Sequence, residues 1–491
     1  MRQSERLETG ITGLDTILCG GLLCGASYIV QGSPGTGKTI LANQVAFLQA
    51  RRGTRVLYVT LLAESHDRLF QSLSTFDFYD TSIVDKEIIY ISLSKVLREG
   101  GLPGLVRTLR AELVRQRCTM LIVDGFSIAK DSAAAALDIK TFIAELQGYA
   151  ALIGGTVLLL TSAHIDDASR EHTMVDGVLQ LKEELVGVRG VRLIRVAKSR
   201  GSASLAGLHQ YRISAKGIDV YPRLEALATP SSDETSVVEE RATSGVHGFD
   251  GISGGGLATE SVTLLMGPPG SGKTTFGLNF VSAATRNCPA LFFGFYESPA
   301  RLRVKARALH LPIEPLEHCG ALHVCWNPLR ENLLDFLGHQ LLDTIRKHGI
   351  RRVFIDGMTG FQRAAVHSAR EIEFYTALTN ELRALGTTTI AALEMRDSSG
   401  GDVAPLPEYS SLMDNLVRLR QTIIDGELSR LLNIVKMRDS AFDNGLHEVQ
   451  IREGGLHLSG RLAIMPDFLH SRQLALDSRQ EIQIGRQPWQ P

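Results

Sequence analysis

Two octapeptides in the chain carry residues typical of phosphate binding, since both fit the pattern G-x-x-x-x-G-K-[ST]. In such loops the glycines let main-chain N–H groups face a polyphosphate, the lysine reaches its terminal phosphates, and the final hydroxyl binds Mg²⁺. The residues are Gly32, Ser33, Pro34, Gly35, Thr36, Gly37, Lys38 and Thr39 in the first copy, and Gly267, Pro268, Pro269, Gly270, Ser271, Gly272, Lys273 and Thr274 in the second. We therefore expect two sites for a nucleoside triphosphate.

Two aspartates, Asp124 and Asp356, each end an apolar stretch downstream of a loop. If these stretches are parallel strands, both carboxylates emerge at the sheet edge that carries the phosphate loop. A carboxylate there holds Mg²⁺ opposite Thr39 or Thr274, directly or through water. The alternative is an ordinary turn or helix-cap aspartate, and the upstream loops favour the metal role.

Glu64 and Glu297 occur at similar distances after the two loops, in the segments L-A-E-S and F-Y-E-S. Each follows the next predicted strand, a position that suits a general base acting near the γ-phosphate. A glutamate near a helix start, favoured by the helix dipole, is the alternative. We interpret both as catalytic.

A K-x-R motif follows the last predicted core strand of each copy. It consists of Lys198 and Arg200 in the first copy and of Lys436 and Arg438 in the second. Fixed cations so far along the chain from the loop suit a finger that completes the site of a neighbouring subunit. A solvated basic turn is the alternative, and recurrence in both copies favours the finger.

The elements that must position these residues form a repeat, because Lys38 and Lys273 lie 235 residues apart and the other landmarks recur at almost that offset. Apolar strands alternate with helical stretches, which predicts an α/β fold: two tandem domains, each a mostly parallel twisted sheet flanked by helices. The predicted strands are 26–31, 55–61, 120–123, 156–161 and 192–196, then 261–266, 290–295, 352–355, 388–393 and 430–435. The predicted helices include 39–50, 102–116, 137–153 and 274–286.

Length and composition agree with this division. The 491 residues are too many for one core and suffice for two domains. We predict a first domain over 1–228, a polar linker over 229–241, a second domain over 242–470 and a mobile tail over 471–491.

Bulk charge and cysteine usage argue against several classes of protein, although the net charge leaves room for a local basic groove. A net charge of −1 gives no global case for nucleic acid or an anionic membrane. The six cysteines contain no C-x-x-C pair, which favours free thiols over disulfides or zinc. The sequence contains no apolar run of membrane-spanning length and no signal-peptide core, so we expect a cytoplasmic protein.

These motifs together resemble the KaiC family, RecA-superfamily ATPases and autokinases of the bacterial circadian clock. The resemblance runs from about residue 5 to about residue 460, and its most specific passage is D-G-E-L-S-R followed by N-I-V-K-M-R. It implies two RecA-like P-loop domains, a homohexameric double ring, and ATP with Mg²⁺ at subunit interfaces, where each K-x-R pair contacts the neighbour's nucleotide. It also implies autophosphorylation at Ser410 and Ser411, counted back from Asp414, with KaiA-like or KaiB-like proteins or a downstream signalling kinase as partners.

One departure from the family pattern concerns catalysis. The family has two adjacent glutamates after the second strand of each domain, the first acting as the base. Here those pairs correspond to Ala63-Glu64 and Tyr296-Glu297, so the first member is missing twice. A positioned base contributes ~10²–10⁴-fold, so we expect slow turnover unless another group replaces it.

Three functions compete on these observations. The first is a KaiC-like ATPase with serine autokinase activity, acting as a signalling or timing hub. The second is a nucleotide-gated scaffold that assembles with ATP and turns over little, which the missing glutamates favour. The third is a DNA-dependent ATPase of the same superfamily, against which the near-neutral charge and the two ATPase domains argue.

Overall fold

A computed structural model describes residues 5–62, 66–131, 136–162, 170–227, 240–395, 406–424, 426–438 and 440–462. The chain forms two compact units, and a nine-stranded sheet lies in each half of the sequence. Glu64, the 471–491 tail and the linker residues 229–239 lie outside the described residues.

The first half of the chain alternates strands and helices up to β7 and then runs through four consecutive strands. Its strands are β1 (Arg6–Leu7), β2 (Leu22–Leu23), β3 (Ser27–Gly32), β4 (Val56–Thr60), β5 (Ile88–Ser92), β6 (Met120–Asp124), β7 (Thr156–Thr161), β8 (Gly177–Val186), β9 (Arg189–Ser199), β10 (His209–Ser214) and β11 (Gly217–Tyr221). Its helices are α1 (Thr12–Ile17), α2 (Lys38–Arg51), α3 (His66–Leu73), α4 (Ser94–Gln116), α5 (Phe126–Asp131), α6 (Ala136–Ile153) and α7 (Leu224–Leu227).

The second half repeats this succession of strands. Its strands are β12 (Arg241–Ala242), β13 (Leu257–Ala258), β14 (Val262–Gly267), β15 (Ala290–Gly294), β16 (Leu322–Trp326), β17 (Arg352–Asp356), β18 (Thr388–Glu394), β19 (Asn415–Ile424), β20 (Glu427–Met437), β21 (His447–Arg452) and β22 (Gly455–Arg461). Its helices are α8 (Phe249–Ile252), α9 (Lys273–Ser282), α10 (Pro299–Ala308), α11 (Ile313–His318), α12 (Leu334–His348), α13 (Thr359–Ala364) and α14 (Glu371–Ala384).

Both large sheets have the same strand order. The first reads β5-β4-β6-β7-β3-β8-β9-β10-β11, and the second reads β16-β15-β17-β18-β14-β19-β20-β21-β22. In each, the strand that leads into the phosphate loop lies at the centre, and six neighbouring strands are parallel. The remaining three strands pair antiparallel as successive hairpins. This confirms the predicted pair of mostly parallel sheets in two tandem RecA-like domains.

The strands beside the phosphate loops are buried on both faces. Every residue of β3, β4, β6 and β7 is buried, and β14, β15 and β17 follow the same pattern. Helices cover the two faces of such a sheet, so continuous apolar runs, rather than alternating ones, specify these strands. The central strands therefore hold their carboxyl ends rigidly where the loops begin.

Sequence periodicity alone missed several elements. It predicted the middle of β9 and of β20, but neither the edge strands β5 and β16 nor the other strands of the antiparallel hairpins, β8, β10 and β11 in the first sheet and β19, β21 and β22 in the second. The helix predicted over 274–286 ends at Ser282, because Thr285 and Cys288 exchange two main-chain hydrogen bonds of 3.1 Å in a turn that leads into β15.

Candidate nucleotide-binding sites

Each phosphate loop joins the carboxyl end of a central strand to the start of a helix. In the first copy the loop connects β3 to α2, which begins at Lys38, and in the second it connects β14 to α9, which begins at Lys273. Gly37 and Gly272, immediately before these helices, have φ values of 92° and 107°. Because a side chain disfavours this left-handed conformation, glycine is required at the position.

The two loop lysines make the same contacts. Lys38 Nζ donates to the carbonyls of Gly32 and Ser33, at 2.8 and 3.0 Å, and lies in a largely buried position. Lys273 Nζ donates to the corresponding carbonyls of the second loop, both at 2.7 Å. Burial lowers the pKa of each lysine, and nearby carboxylates oppose that shift. A buried ammonium bound to main-chain carbonyls is poised to receive a polyanion.

The last threonine of each loop is hydrogen-bonded to the strand-end aspartate. Thr39 Oγ1 donates to Asp124 Oδ2, and Thr274 Oγ1 donates to Asp356 Oδ2, both at 3.0 Å. The two sheets therefore bring together the residues that sequence analysis predicted as metal ligands, although 85 and 82 residues separate them along the chain.

The two aspartates differ in their other contacts. In the first copy Tyr58 OH also donates to Asp124 Oδ2 at 3.0 Å, and Tyr58 in turn accepts a 3.1 Å hydrogen bond from Asn43. In the second copy the strand position that corresponds to Tyr58, two residues before the end of β15, is Phe292. Asp356 therefore lacks the tyrosine hydroxyl that Asp124 has.

Burial raises the pKa of both aspartates. For Asp124 the hydrogen bonds from Thr39 and Tyr58 oppose the effect of burial. For Asp356 burial raises the pKa to about 6; the hydrogen bond from Thr274 opposes the rise, and the nearby carboxylate of Glu297 adds to it. A buried carboxylate whose ionisation is costly is well suited to a divalent cation, which would compensate its charge.

These residues fit a magnesium–nucleoside triphosphate at each loop. The buried lysine supplies a cation whose Nζ hydrogen bonds given above go to main-chain carbonyls and not to a carboxylate. The loop supplies main-chain donors for phosphate oxygens. The threonine hydroxyl and the strand-end carboxylate are oxygen ligands, the type that Mg²⁺ prefers.

Glu297 lies in the second site, three residues after the end of β15. It is close enough to Asp356 to raise the pKa of that aspartate, so the structure places it beside the predicted metal ligand. However, Lys305 Nζ lies 3.3 Å from its Oε1, and both side chains are about one-third exposed. Its carboxylate is thus partly neutralised by an ammonium. The corresponding Glu64 lies outside the described residues.

In each copy the K-x-R residues and the phosphate loop lie at opposite ends of the central strands of the sheet. Lys198 Nζ donates to the carbonyls of His172 and Thr173 at 2.7 and 3.0 Å, and Arg200 donates to Thr173 at 2.9 Å. This segment leads into β8, which is parallel to β3, and Asp176 just before β8 donates its N–H to the Ser27 carbonyl. The cations therefore lie near the beginning of β3, whereas the phosphate loop follows its end.

The second copy has the same arrangement, and it includes the serine pair. Lys436 Nζ donates to the Met413 carbonyl at 2.7 Å, and Arg438 pairs with Asp414 at 3.2 Å. Ser410 and Ser411 belong to the 3₁₀ helix Glu408–Leu412, directly before these partners. The structure thus brings the serines and the K-x-R motif together and separates both from the loop of the same copy.

Sequence analysis missed two contributors to these sites. Tyr58 had no motif to mark it, although a polar hydroxyl within a run of buried apolar residues is a usable signal. Glu394 ends β18 opposite Gly267, and its carboxylate is the charge that most opposes the lowering of the pKa of Lys273 by burial. A glutamate at the end of an otherwise apolar strand was visible in the sequence.

Fold and site together define a tandem P-loop nucleotide-binding protein of the RecA-like type. A family model described as "ATPase: KaiC" matches residues 7–225 and again residues 242–462. The chain therefore belongs to the KaiC family of ATPases.

Curated relatives match over most of their length. The circadian clock oscillator protein KaiC of Picosynechococcus is 26% identical over 466 residues, covering 92% of this chain and 89% of that protein. KaiC of Rippkaea orientalis is 27% identical over 471 residues, with 92% and 88% covered. KaiC 1 of Synechocystis is 25% identical over 465 residues, with the same shares covered.

Among the helices in the described part of the chain, none combines the length and the apolar character that crossing a bilayer requires.

Proposed function

We propose that the chain is a Mg²⁺-dependent ATPase that phosphorylates its own Ser410 and Ser411, using ATP bound to the second loop of a neighbouring copy. The phosphorylated state then serves as a signal for partner proteins. The observation that carries this proposal is the position of the serine pair beside Lys436 and Arg438, at the sheet edge opposite the loop of the same chain.

The serine pair is accessible to an external phosphate donor. Ser411 is exposed and donates its hydroxyl to the Glu408 carbonyl at 3.1 Å, while Ser410 is half-buried. Arg438 Nη2 lies 3.4 Å from the Ser411 carbonyl. A cation fixed beside the acceptor hydroxyl can stabilise the charge of a transferring phosphoryl group. Ser411 is therefore the better exposed acceptor.

Distance argues against transfer within one copy of the chain. Asp414, next to the serine segment, pairs with Val262 at the start of β14, and the loop begins at Gly267 at its end. A strand rises about 3.3 Å per residue, so this strand spans roughly 17 Å. Phosphoryl transfer needs the reacting atoms about 3–3.5 Å apart. A second copy that supplies the loop satisfies this requirement.

The residues of each site have defined tasks in this proposal. The loop N–H groups and Lys273 would hold the triphosphate, while Thr274 and Asp356 would hold the metal. Mg²⁺, when bound, supplies neutralisation of the charge that develops on the phosphate oxygens. Arg438 of one copy would orient the nucleotide of the next, and the first site would use Lys38, Thr39 and Asp124 in the same way.

A closed ring of copies follows if each chain contributes its K-x-R edge to the next and the rotation between neighbours closes, because head-to-tail contacts then generate a ring. We extend the proposal to a homohexamer with KaiA-like or KaiB-like partners, or a downstream signalling kinase. The relatives named above are described as circadian clock oscillator proteins, which supports timing as one output of the signal.

Labelling with γ-labelled ATP and Mg²⁺, followed by phosphosite mapping, tests the proposal. Wild-type protein is expected to carry label on Ser410 or Ser411, and Lys273→Ala is expected to lose it. Lys38→Ala is the matched control, since it disables the equivalent lysine of the first site only. Label that survives Lys273→Ala would identify a separate kinase and overturn the proposal.

A nucleotide-gated scaffold is the second candidate, favoured by one observation. Where the family has the first glutamate of its pair, the second site has Tyr296, and the remaining Glu297 is paired with Lys305. A scaffold would bind ATP and assemble without labelling either serine. Native mass measurement with and without ATP, alongside the labelling, separates the two functions.

A further inference from the structure

We propose that Glu394 is the proton acceptor of the second nucleotide site, replacing the glutamate that is missing there. The attacking hydroxyl, of a serine or of water, would transfer its proton to this carboxylate. The inference deepens the function proposed above and rests on it.

The sheet places Glu394 at the phosphate loop. It is the last residue of β18 and lies opposite Gly267, the first loop residue, in the parallel register of β14 and β18. The next residue, Met395, donates its main-chain N–H to the Gly267 carbonyl at 3.1 Å. This pairing fixes the backbone of Glu394 beside the loop.

Glu394 also points to the correct face of the sheet. Asp356 lies opposite Ala392 in the pairing of β17 with β18, so these two side chains share a face. Side chains two residues apart on a strand share a face as well, which places Glu394 with Asp356. That face carries Thr274, the hydrogen-bond donor to Asp356. The Glu394 carboxylate therefore emerges on the nucleotide side of β18.

Charge and exposure suit a proton acceptor. Glu394 is exposed at the carboxyl edge of the sheet, so water or a substrate hydroxyl can reach it. Glu394 also lies near Lys273. Burial lowers the pKa of that lysine, and the Glu394 carboxylate opposes this lowering more strongly than Asp356 does. Since Lys273 reaches the terminal phosphates in this loop pattern, Glu394 is near the reacting end of the triphosphate.

Glu297 is the competing candidate, and its carboxylate is already engaged in an ion pair. Its Oε1 lies 3.3 Å from the ammonium of Lys305. A carboxylate oxygen held by a side-chain ammonium is less available to contact an attacking hydroxyl. Glu297 can instead help to position Lys305.

Of the two copies, only the second has a glutamate at this strand position. In the first sheet Thr161 lies opposite Gln31, so the residue opposite Gly32, the counterpart of Glu394, is Ser162. A serine hydroxyl is no proton acceptor at neutral pH. The added carboxylate therefore occurs in the copy that also carries Ser410 and Ser411.

The hydroxyl oxygen forms a bond to the γ-phosphorus, and the bond from that phosphorus to the β–γ bridging oxygen breaks, releasing ADP. The hydroxyl proton passes to a carboxylate oxygen of Glu394, which then returns it to solvent. No oxidant or further reactant is required.

The test is Glu394→Gln in the full-length chain, in a Lys38→Ala background so that only the second site turns over. We expect label on the serines, and ATP hydrolysis, to fall at least about 100-fold, with partial rescue by Glu394→Asp. Binding of a non-hydrolysable ATP analogue should change by less than about twofold. Nucleotide released by acid from freshly purified protein should shift from ADP toward ATP.

Two controls make the outcomes decisive. Glu453→Gln neutralises a glutamate whose side chain is 79% exposed in the turn between β21 and β22, and it should leave all readouts unchanged. Glu297→Gln tests the competitor. Normal turnover in Glu394→Gln with a large loss in Glu297→Gln would overturn the inference and leave the proposed function intact.

The proposed function can fail separately. If the wild-type second site hydrolyses ATP without labelling either serine, the autokinase is rejected, and the effect of Glu394→Gln on hydrolysis still decides the inference. If that site neither labels the serines nor hydrolyses ATP, both proposals are overturned.

Discussion

The hydroxyl of Thr274 donates a 3.0 Å hydrogen bond to a carboxylate oxygen of Asp356, across 82 residues of chain. The first copy repeats this bond between Thr39 and Asp124, where Tyr58 adds a second donor. The two sites therefore have the same predicted metal ligands but differ in the number of hydrogen bonds that stabilise the aspartate carboxylate.

Mg²⁺-assisted nucleotide binding at the second site should weaken in mild acid. A carboxylate must lose its proton to bind a metal, and the pKa of Asp356 is about 6. Below that pH the Mg²⁺-dependent part of the affinity should fall about tenfold per pH unit, as expected for one proton. Titration with an ATP analogue between pH 5 and pH 8, with and without Mg²⁺, measures this. The Asp356→Asn variant should bind the Mg²⁺–nucleotide weakly at every pH. If its Mg²⁺-dependent affinity fell with pH as steeply as that of the wild type, Asp356 would not be the titrating metal ligand.

Without nucleotide, Asp356 should lower the stability of the fold at neutral pH. Its folded-state pKa of about 6 lies above its ordinary value of 3.8, so the folded state binds the proton more tightly than the unfolded state. The free energy of unfolding should therefore fall as pH rises from about 4 to about 6, by up to ~3 kcal/mol. Asp356→Asn should remove this dependence and unfold at higher urea at pH 7. Lower stability of this variant would contradict the prediction.

Tyr58→Phe should make the first site resemble the second. The change removes the hydroxyl that donates to Asp124 and accepts from Asn43, so it should destabilise the fold by about 1 kcal/mol and raise the pKa of Asp124. Mg²⁺ binding at the first site should then weaken below neutral pH. Phe292→Tyr is the reciprocal variant, expected to lower the pKa of Asp356. Calorimetric Mg²⁺–nucleotide titrations at two pH values compare the variants.

Arg438→Ala should reduce label on Ser411 while the same chain still binds ATP, because Arg438 lies beside the serine and not beside its own loop. A Lys273→Ala chain should retain its serines and Arg438, but its second phosphate loop should not support phosphoryl transfer. Mixed oligomers of a tagged Lys273→Ala chain and an untagged Ser410→Ala/Ser411→Ala chain should carry label on the tagged chain. Mass spectrometry of the separated chains measures this. Label confined to homogeneous wild-type oligomers would show that transfer stays within one chain.

Local motifs and apolar runs were sufficient to predict the duplicated α/β fold and the position of each loop. A phosphate loop is contiguous in sequence, and a strand buried on both faces is a continuous apolar run, so both leave a local signal. The pairing of Thr39 with Asp124 was also predictable, because parallel strands end at one sheet edge. Only one strand of the antiparallel hairpins in each copy was predicted, because alternating, partly exposed strands leave a weaker signal.

The sequence by itself determined the two phosphate loops, and it predicted their lysines as phosphate contacts and a threonine and an aspartate of each copy as metal ligands. Only the tertiary structure decided that Tyr58 supports Asp124, that Glu394 lies beside the second loop, and that Arg438 lies a strand length from the loop of its own chain. The physical reason is that these relations depend on strand order and register. Both are set by hydrogen bonding and burial between segments far apart in sequence, and no spacing along one segment encodes them.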